Sequence, residues 1–338
     1  MNQSSADNAK GGLRKLLNIP TPLIFASCIV AATLLLWWQG ALAELWEVVR
    51  EANTTQLLIA TPIYVASLWL LAVRWHQLVQ MAQGWSDLPR AAEAFLTSIV
   101  INYAAPVGLA VPSRAALTKR ALGLDGHATG VVALWEIGMD VIVLGFGTLV
   151  WLIMAQGSTS AVASELEDNA SRYQSVALLL VAVVLVLLIF FFRKAEQRRR
   201  AINFIRRILV SPLQRPREAA LALASTTIYW IVQGVVLALL VNAMGVDTTF
   251  ELILGLTTLP MLVGMLSPIP GGAVVREAMM YVVARLAGVP GAEVVAAAVI
   301  YRMALFLAIP ILYGITRIWL TKRDGGHPHP ESVEESIP

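Results

Sequence analysis

Read for hydrophobic and polar positions, the chain is a series of long apolar windows separated by short charged stretches. Windows of spanning length fall at about 20–38, 55–75, 127–153, 174–192, 218–243 and 293–319. Each is near or above the roughly 20 residues that carry a helix across the ~30 Å hydrocarbon core of a bilayer. Six spanning helices are expected there. Two further regions, 91–123 and 250–288, are apolar but punctuated. Pro106, Gly108, Pro112 and Arg114 interrupt the first, and Pro268, Pro270, Gly271, Gly272, Arg276 and Glu277 interrupt the second. Proline removes a backbone donor and glycine, as at Gly271 and Gly272, permits a sharp reversal or the close approach of a substrate, so neither region reads as one continuous helix.

Charge decides how the broken regions lie. If each enters and leaves on one side as a re-entrant helical hairpin, segments 1–19, 74–125, 193–217 and 317–338 share a side and hold 20 lysines and arginines. Segments 39–54, 155–173 and 244–292 then hold 4. This asymmetry puts the first set, and both termini, in the cytoplasm of a cell (plasma) membrane protein. Letting only the first region cross would move the acidic 155–173 loop inside and the basic 193–217 loop outside. An arm such as 91–104 would also reach only about 21 Å as a helix, short of the hydrocarbon thickness.

The fold class expected is therefore an all-α polytopic membrane protein of six spanning helices plus two re-entrant helical hairpins. A single transmembrane domain covers 20–319, between a cytoplasmic N-terminus at 1–19 and a polar, disordered cytoplasmic tail at 320–338. Each broken region leads to a short helix, then Ala-Leu-Gly-Leu (121–124) or Leu-Ala-Gly-Val (286–289), then a span. With Gly123 set against Gly288, the units 55–153 and 218–319 read as inverted repeats. Such repeats with broken helices meeting near the midplane mark transporters, because irregular backbone in a membrane needs protein or a watery cavity to satisfy it.

Composition narrows the classes. With 57% hydrophobic and 14% charged residues in 338, the chain is too apolar for a soluble domain of that length. Its pI near 9.1 reflects basic residues between spans, with no recognition motif, and no nucleic-acid partner is expected. The loop 193–217 carries nine of them around the amphipathic AINFIRRILV, as suits an anionic inner leaflet. The single cysteine, Cys28, excludes a disulfide within the chain. The window at 20–38 follows Lys10, Arg14 and Lys15 and precedes Ala41-Leu42-Ala43; its length favours a retained span over a cleaved signal. No HExxH, phosphate-binding glycine loop or Ser-His-Asp order is present, and His76, His127, His327 and His329 lie outside the apolar cores of the spans. Neither a metal nor a cofactor is expected. The longest hydrophilic stretch, about 25 residues, houses no soluble catalytic domain, so the chain is not read as an enzyme.

The ionisable residues at membrane depth are the candidates for chemistry. In the second broken region Arg276 and Glu277 open a short helix whose amides suit a phosphate or carboxylate; the alternative is that Glu277 only caps the helix. In the first, Asn102, Ser113 and Arg114 stand in NYAAPVGLAVPSR, where Arg114 serves an anionic headgroup or the carbonyls at a helix end. Glu136 and Asp140 share one face of a span, being four residues apart. Arg302 lies at comparable depth from the opposite side and is set to pair with one of them, with Tyr301 beside it. That pair is either a structural lock between repeats or a proton-coupling or headgroup contact.

These motifs resemble the lysylphosphatidylglycerol synthase transmembrane-domain family, also described as flippase-like. Its first motif is similar to Asn102, Pro106, Gly108, Arg114, Gly123, Glu136 and Asp140, with Ile137 where the family often has Arg. Its second, Pro-x-Pro-Gly-Gly-x-Gly-x-x-Glu followed by Gly-Val-Pro and Tyr-Arg, looks like Pro268, Pro270, Gly271, Gly272, Glu277, Gly288, Val289, Pro290, Tyr301 and Arg302. Val274 replaces the third glycine and is expected to make the turn less open. The resemblance implies a stand-alone membrane module, without the soluble aminoacyl-transferase domain of some relatives, that moves lipids between leaflets. Its cargo class would be aminoacylated or anionic phospholipids or lipid-linked glycans. Membrane lipids are thus the expected partners, together with a lipid-modifying enzyme; oligomeric state is left open. The alternatives are a small-solute secondary transporter, with a closed midplane site, and a membrane-embedded enzyme or accessory subunit of a glycolipid pathway using Glu136 with Asp140.

Overall fold

The apolar run read from residue 55 is a 30-residue helix, Thr54–Gln83 (α1). The computed structural model of the protein describes residues 52–104, 110–124, 126–155, 208–266 and 274–323, with a few isolated positions before them. Among the described residues every regular element is helical. After α1 come Leu88–Ala104 (α2), Ala110–Leu122 (α3), Gly126–Met154 (α4), Pro216–Ala243 (α5), Phe250–Leu266 (α6), Val275–Leu286 (α7) and Gly291–Arg323 (α8). By length and composition α1, α4, α5 and α8 are each able to cross a membrane, and they coincide with four of the six expected spans. The other two, 20–38 and 174–192, fall outside the described residues apart from isolated positions, as does the tail after 323.

The two punctuated regions are pairs of short helices. α2 has 17 residues and α3 has 13; α6 has 17 and α7 has 12. At 1.5 Å per residue they reach about 18–25 Å, less than the ~30 Å core. Within each pair the helices pack on each other. Both pairs also stop in the same way. Gly123 follows α3 with φ +66° and Gly288 follows α7 with φ +72°, the left-handed conformation that side-chain-bearing residues resist and helix ends exploit. The Gly123 amide donates to Lys119 O at 2.8 Å, and the Gly288 and Val289 amides donate to Arg285 O and Ala284 O.

Helix ends are tied to one another in two groups. The Asn53 amide, at the start of α1, donates to Ala243 O at the end of α5. Asn53, Asn242, Gly245 and Glu293 together line a polar recess there, which brings in the start of α8. At the other group, Arg215 before α5 donates to Gln80 O and Met81 O at the end of α1. Arg323 at the end of α8 makes two 2.7 Å bonds to Asp87 at the start of α2. The Trp135 indole, in the third turn of α4, donates to Ile208 O, in the helical stretch before α5.

α1 and α5 form the most extensive helix pair. Along α1 the buried positions recur as Ala60, Tyr64, Ser67, Leu68, Leu71, Ala72, Trp75, Leu78 and Val79, a face with helical period. In lipid the burial of apolar surface does little to hold helices together, so close packing and interhelical hydrogen bonds carry more of the association. Gln233 of α5 donating to Ser67 Oγ at 3.1 Å is one such bond.

Candidate functional site: two ion-pair clusters joined through aromatic rings

Glu136 and Asp140 on α4 face α1, which presents Arg74 to both. Arg74 Nη1 donates to Asp140 Oδ1 at 2.6 Å and Nη2 to Glu136 Oε1 at 3.1 Å. All three residues are buried, at 3%, 7% and 8% exposure. Two carboxylates one turn apart repel; a planar guanidinium with several donors can bridge both, which a lysine ammonium does less well. Asp140 Oδ1 also accepts the indole N–H of Trp230 on α5 at 2.8 Å. α1, α4 and α5 are thereby tied through one oxygen.

The second cluster lies on α7 and α8. Glu277 Oε1 accepts from Arg302 at 2.5 Å and from Arg276 at 3.3 Å. The Arg276 guanidinium stands 5.3 Å from the ring centroid of Tyr301, within the range where a desolvated cation is attracted by the aromatic face. Arg276 Nη1 also reaches Met261 Sδ on α6 at 3.7 Å. Helix α7 begins just after Val274, which has φ +68° and ψ −48°, a strained conformation for a β-branched residue. The valine occupies a positive-φ, γ-turn-like geometry that a glycine would adopt more freely.

Rings connect the clusters. Tyr301 meets Tyr64 of α1 edge-on, with centroids 5.2 Å apart, and lies near Tyr229 of α5. Tyr229 in turn packs edge-on against Trp230 at 5.0 Å, whose N–H is on Asp140. Tyr64 lies ten residues before Arg74 on α1, roughly 15 Å along the axis. The named groups thus form a path from two acids with one arginine to two arginines with one acid.

A third cluster fastens α2 to α8. Glu93, 6% exposed, accepts from Arg317 at 2.9 Å and from the Tyr313 hydroxyl at 3.2 Å. Asp87 and Arg323 continue this contact at the helix ends.

Of the residues selected from sequence, Arg276, Glu277, Tyr301 and Arg302 are brought together, and Glu136 and Asp140 form the other cluster. The expected pairing of Arg302 with an α4 acid needs correction: Arg302 is bonded to Glu277, and the cation held between Glu136 and Asp140 is Arg74. The reason is helix adjacency. α4 packs on α1, α3, α5 and α6, whereas α8 packs on α1, α2, α5 and α7. Asn102 lies on α2 and Arg114 on α3, with their side chains outside the described residues. Pro106, Gly108, Pro268, Pro270, Gly271 and Gly272 also lie outside them. Sequence reasoning missed Arg74, Tyr64, Tyr229, Trp230 and Glu93. Arg74 and Glu93 each carried a signal, an ionisable residue in or beside an apolar window, that was readable as an interface charge.

These features define a multi-pass, all-helical membrane protein with ion pairs buried between its apolar helices. The chain belongs to the family described as the lysylphosphatidylglycerol synthase TM region, whose profile matches residues 24–314. That membership ties it to a membrane-lipid-related function. No curated protein and no solved structure matches the chain.

Proposed function

We propose that this protein is a lipid translocase, moving an anionic or aminoacylated phospholipid, or a lipid-linked glycan carrier, between leaflets. The observation that carries the reading is the buried path of charge and aromatic rings from Arg74, Glu136 and Asp140 to Arg276, Glu277 and Arg302. Charged groups in apolar helices are costly unless paired, and they mark substrate or ion pathways. Here they stand where a headgroup leaving water would exchange hydration for fixed charges of both signs. Arg276 and Arg302 are the proposed phosphate contacts, with Tyr301 against Arg276. No catalytic role is assigned to Glu136 and Asp140, since Arg74 occupies the space between them.

The ties between helix ends support two re-entrant hairpins. In this reading α2–α3 leaves from and returns to the end where Arg215 and Arg323 lie, and α6–α7 does so at the end of Asn53 and Glu293. The matching stops at Gly123 and Gly288 fit inverted repeats over 55–153 and 218–319. Charge asymmetry supports an orientation with the α2–α3 side and both termini in the cytoplasm, and the plasma membrane is the proposed location.

The test is reconstitution into liposomes containing fluorescent phosphatidylglycerol, lysyl-phosphatidylglycerol or polyprenyl-phosphate analogues, with a membrane-impermeant quencher. Faster loss of inner-leaflet protection than in empty liposomes is expected for at least one analogue. The loss should be abolished by Arg302→Ala together with Arg276→Ala. Rates equal to empty liposomes for all of them, with and without a proton gradient, would overturn the proposal.

A further inference from the structure

Beside the charged path, a groove of about 640 Å³ runs between α4 and α5 over α6. Its volume is that of a small-molecule site, which spans about 300–1,000 Å³. Its lining is apolar apart from threonines, and Phe146 and Ile231 on its rims are 68% and 62% exposed. The groove therefore opens sideways, onto the surface these membrane-crossing helices turn to lipid. Its floor is set by a close approach, since a Cβ added at Gly147 would stand 2.5 Å from Thr258 Cγ2. Lengthwise it runs from Thr249 and Phe250, at the start of α6, past Trp230 to Thr227. Trp230 is 13 residues before the end of α5, a distance of about 20 Å, which exceeds one leaflet's half of the ~30 Å hydrocarbon core.

Trp230 sets what the groove is for. It lines the inner part of the groove while its N–H is held by Asp140, so one side chain stands between an apolar channel and the buried charges. We propose that the groove binds one alkyl chain of a membrane lipid, with Trp230 as the residue that positions the chain against the headgroup path. This deepens the translocase reading and rests on it for the link to transport. The occupant follows from continuity and surroundings: the groove is apolar, long enough for an alkyl chain, open at its exposed rims and continuous with a residue of the polar site.

Full-length protein in phosphatidylglycerol and phosphatidylethanolamine liposomes, doped with phosphatidylcholine bearing a diazirine near the end of one acyl chain, would be irradiated and its adducts mapped by mass spectrometry. Adducts are expected to concentrate on Phe146, Ile231 and Ile253. They should fall several-fold in Ala238→Trp, which fills the groove, and stay unchanged in Leu307→Trp on the exposed face of α8. Labelling spread evenly over α8 and the groove, or unaffected by Ala238→Trp in a protein that elutes and melts like the parent, would overturn the proposal. So would efficient disulfide formation between Phe146→Cys and cysteines placed along 174–192, with Cys28→Ser, because the chain's own segment would then fill the groove. Labelling does not depend on flipping. A protein that is labelled but moves no lipid refutes transport alone, and one that moves lipid without groove labelling refutes this inference alone.

Discussion

Replacing Arg74 by methionine keeps most of the side chain's volume and removes its charge. Glu136 and Asp140, 8% and 7% exposed, then face each other one turn apart without the guanidinium that bridges them. At about 6 Å and an effective dielectric of 20, two such charges repel by roughly 3 kcal/mol. Breaking a buried ion pair by removing one partner generally costs about 3–5 kcal/mol. R74M should therefore lose about 3–5 kcal/mol, a large part of a typical domain's stability. The triple variant R74M/E136Q/D140N should regain most of that loss, because it removes the stranded charges along with the cation. Trp230 keeps an acceptor there, as an amide oxygen replaces the carboxylate. R74K should fall between, since one ammonium replaces a fork that reaches both acids. The assay is retention of monodisperse protein in detergent after heating, read by size-exclusion chromatography. R74M as stable as the parent would refute the reasoning, and so would a triple variant no more stable than R74M.

Val274→Gly should stabilise the protein by about 1 kcal/mol, because relief of a positive-φ valine outweighs the chain entropy added by glycine; a lower melting temperature in detergent would contradict this. Tyr301→Leu removes the ring beneath Arg276 and beside Tyr64, and about 1–3 kcal/mol with it, so slower lipid transfer and a lower melting temperature are expected together. Glu93→Gln weakens the charge-assisted bond from Arg317 by about 1–3 kcal/mol, which proteolytic sensitivity near the start of α2 would report. Single cysteines at Asp87 and Glu293 should react with an impermeant maleimide from opposite faces of the membrane, and labelling of both from one face would dismiss the proposed orientation.

Much of the architecture was readable because its causes are local. Continuous apolar windows at 55–75, 127–153, 218–243 and 293–319 became α1, α4, α5 and α8. Proline and glycine clusters marked where α2–α3 and α6–α7 divide. Gly123 and Gly288, equated on a weak likeness of flanking residues, both end helices with positive φ. The spacing of Glu136 and Asp140 correctly implied a shared face, and the adjacency of Tyr301 and Arg302 put both at the second cluster. The positive φ of Val274 was less accessible, since a β-branched residue does not advertise a conformation that its own sterics oppose.

Partner choice was a different kind of information. Arg74 meets its acids across 62 and 66 positions of sequence, and Trp230 meets Asp140 across 90. α1 and α5 are apolar on nearly every side, so their pattern does not say which face turns inward. The sequence by itself determined that helices would form, where they would break and which charges would need company at membrane depth. Only the tertiary structure decided that Arg74 takes the α4 acids, that Arg302 takes Glu277, and that Trp230 stands between charge and groove. Helix formation depends on near neighbours along the chain, whereas an ion pair depends on which helices lie side by side.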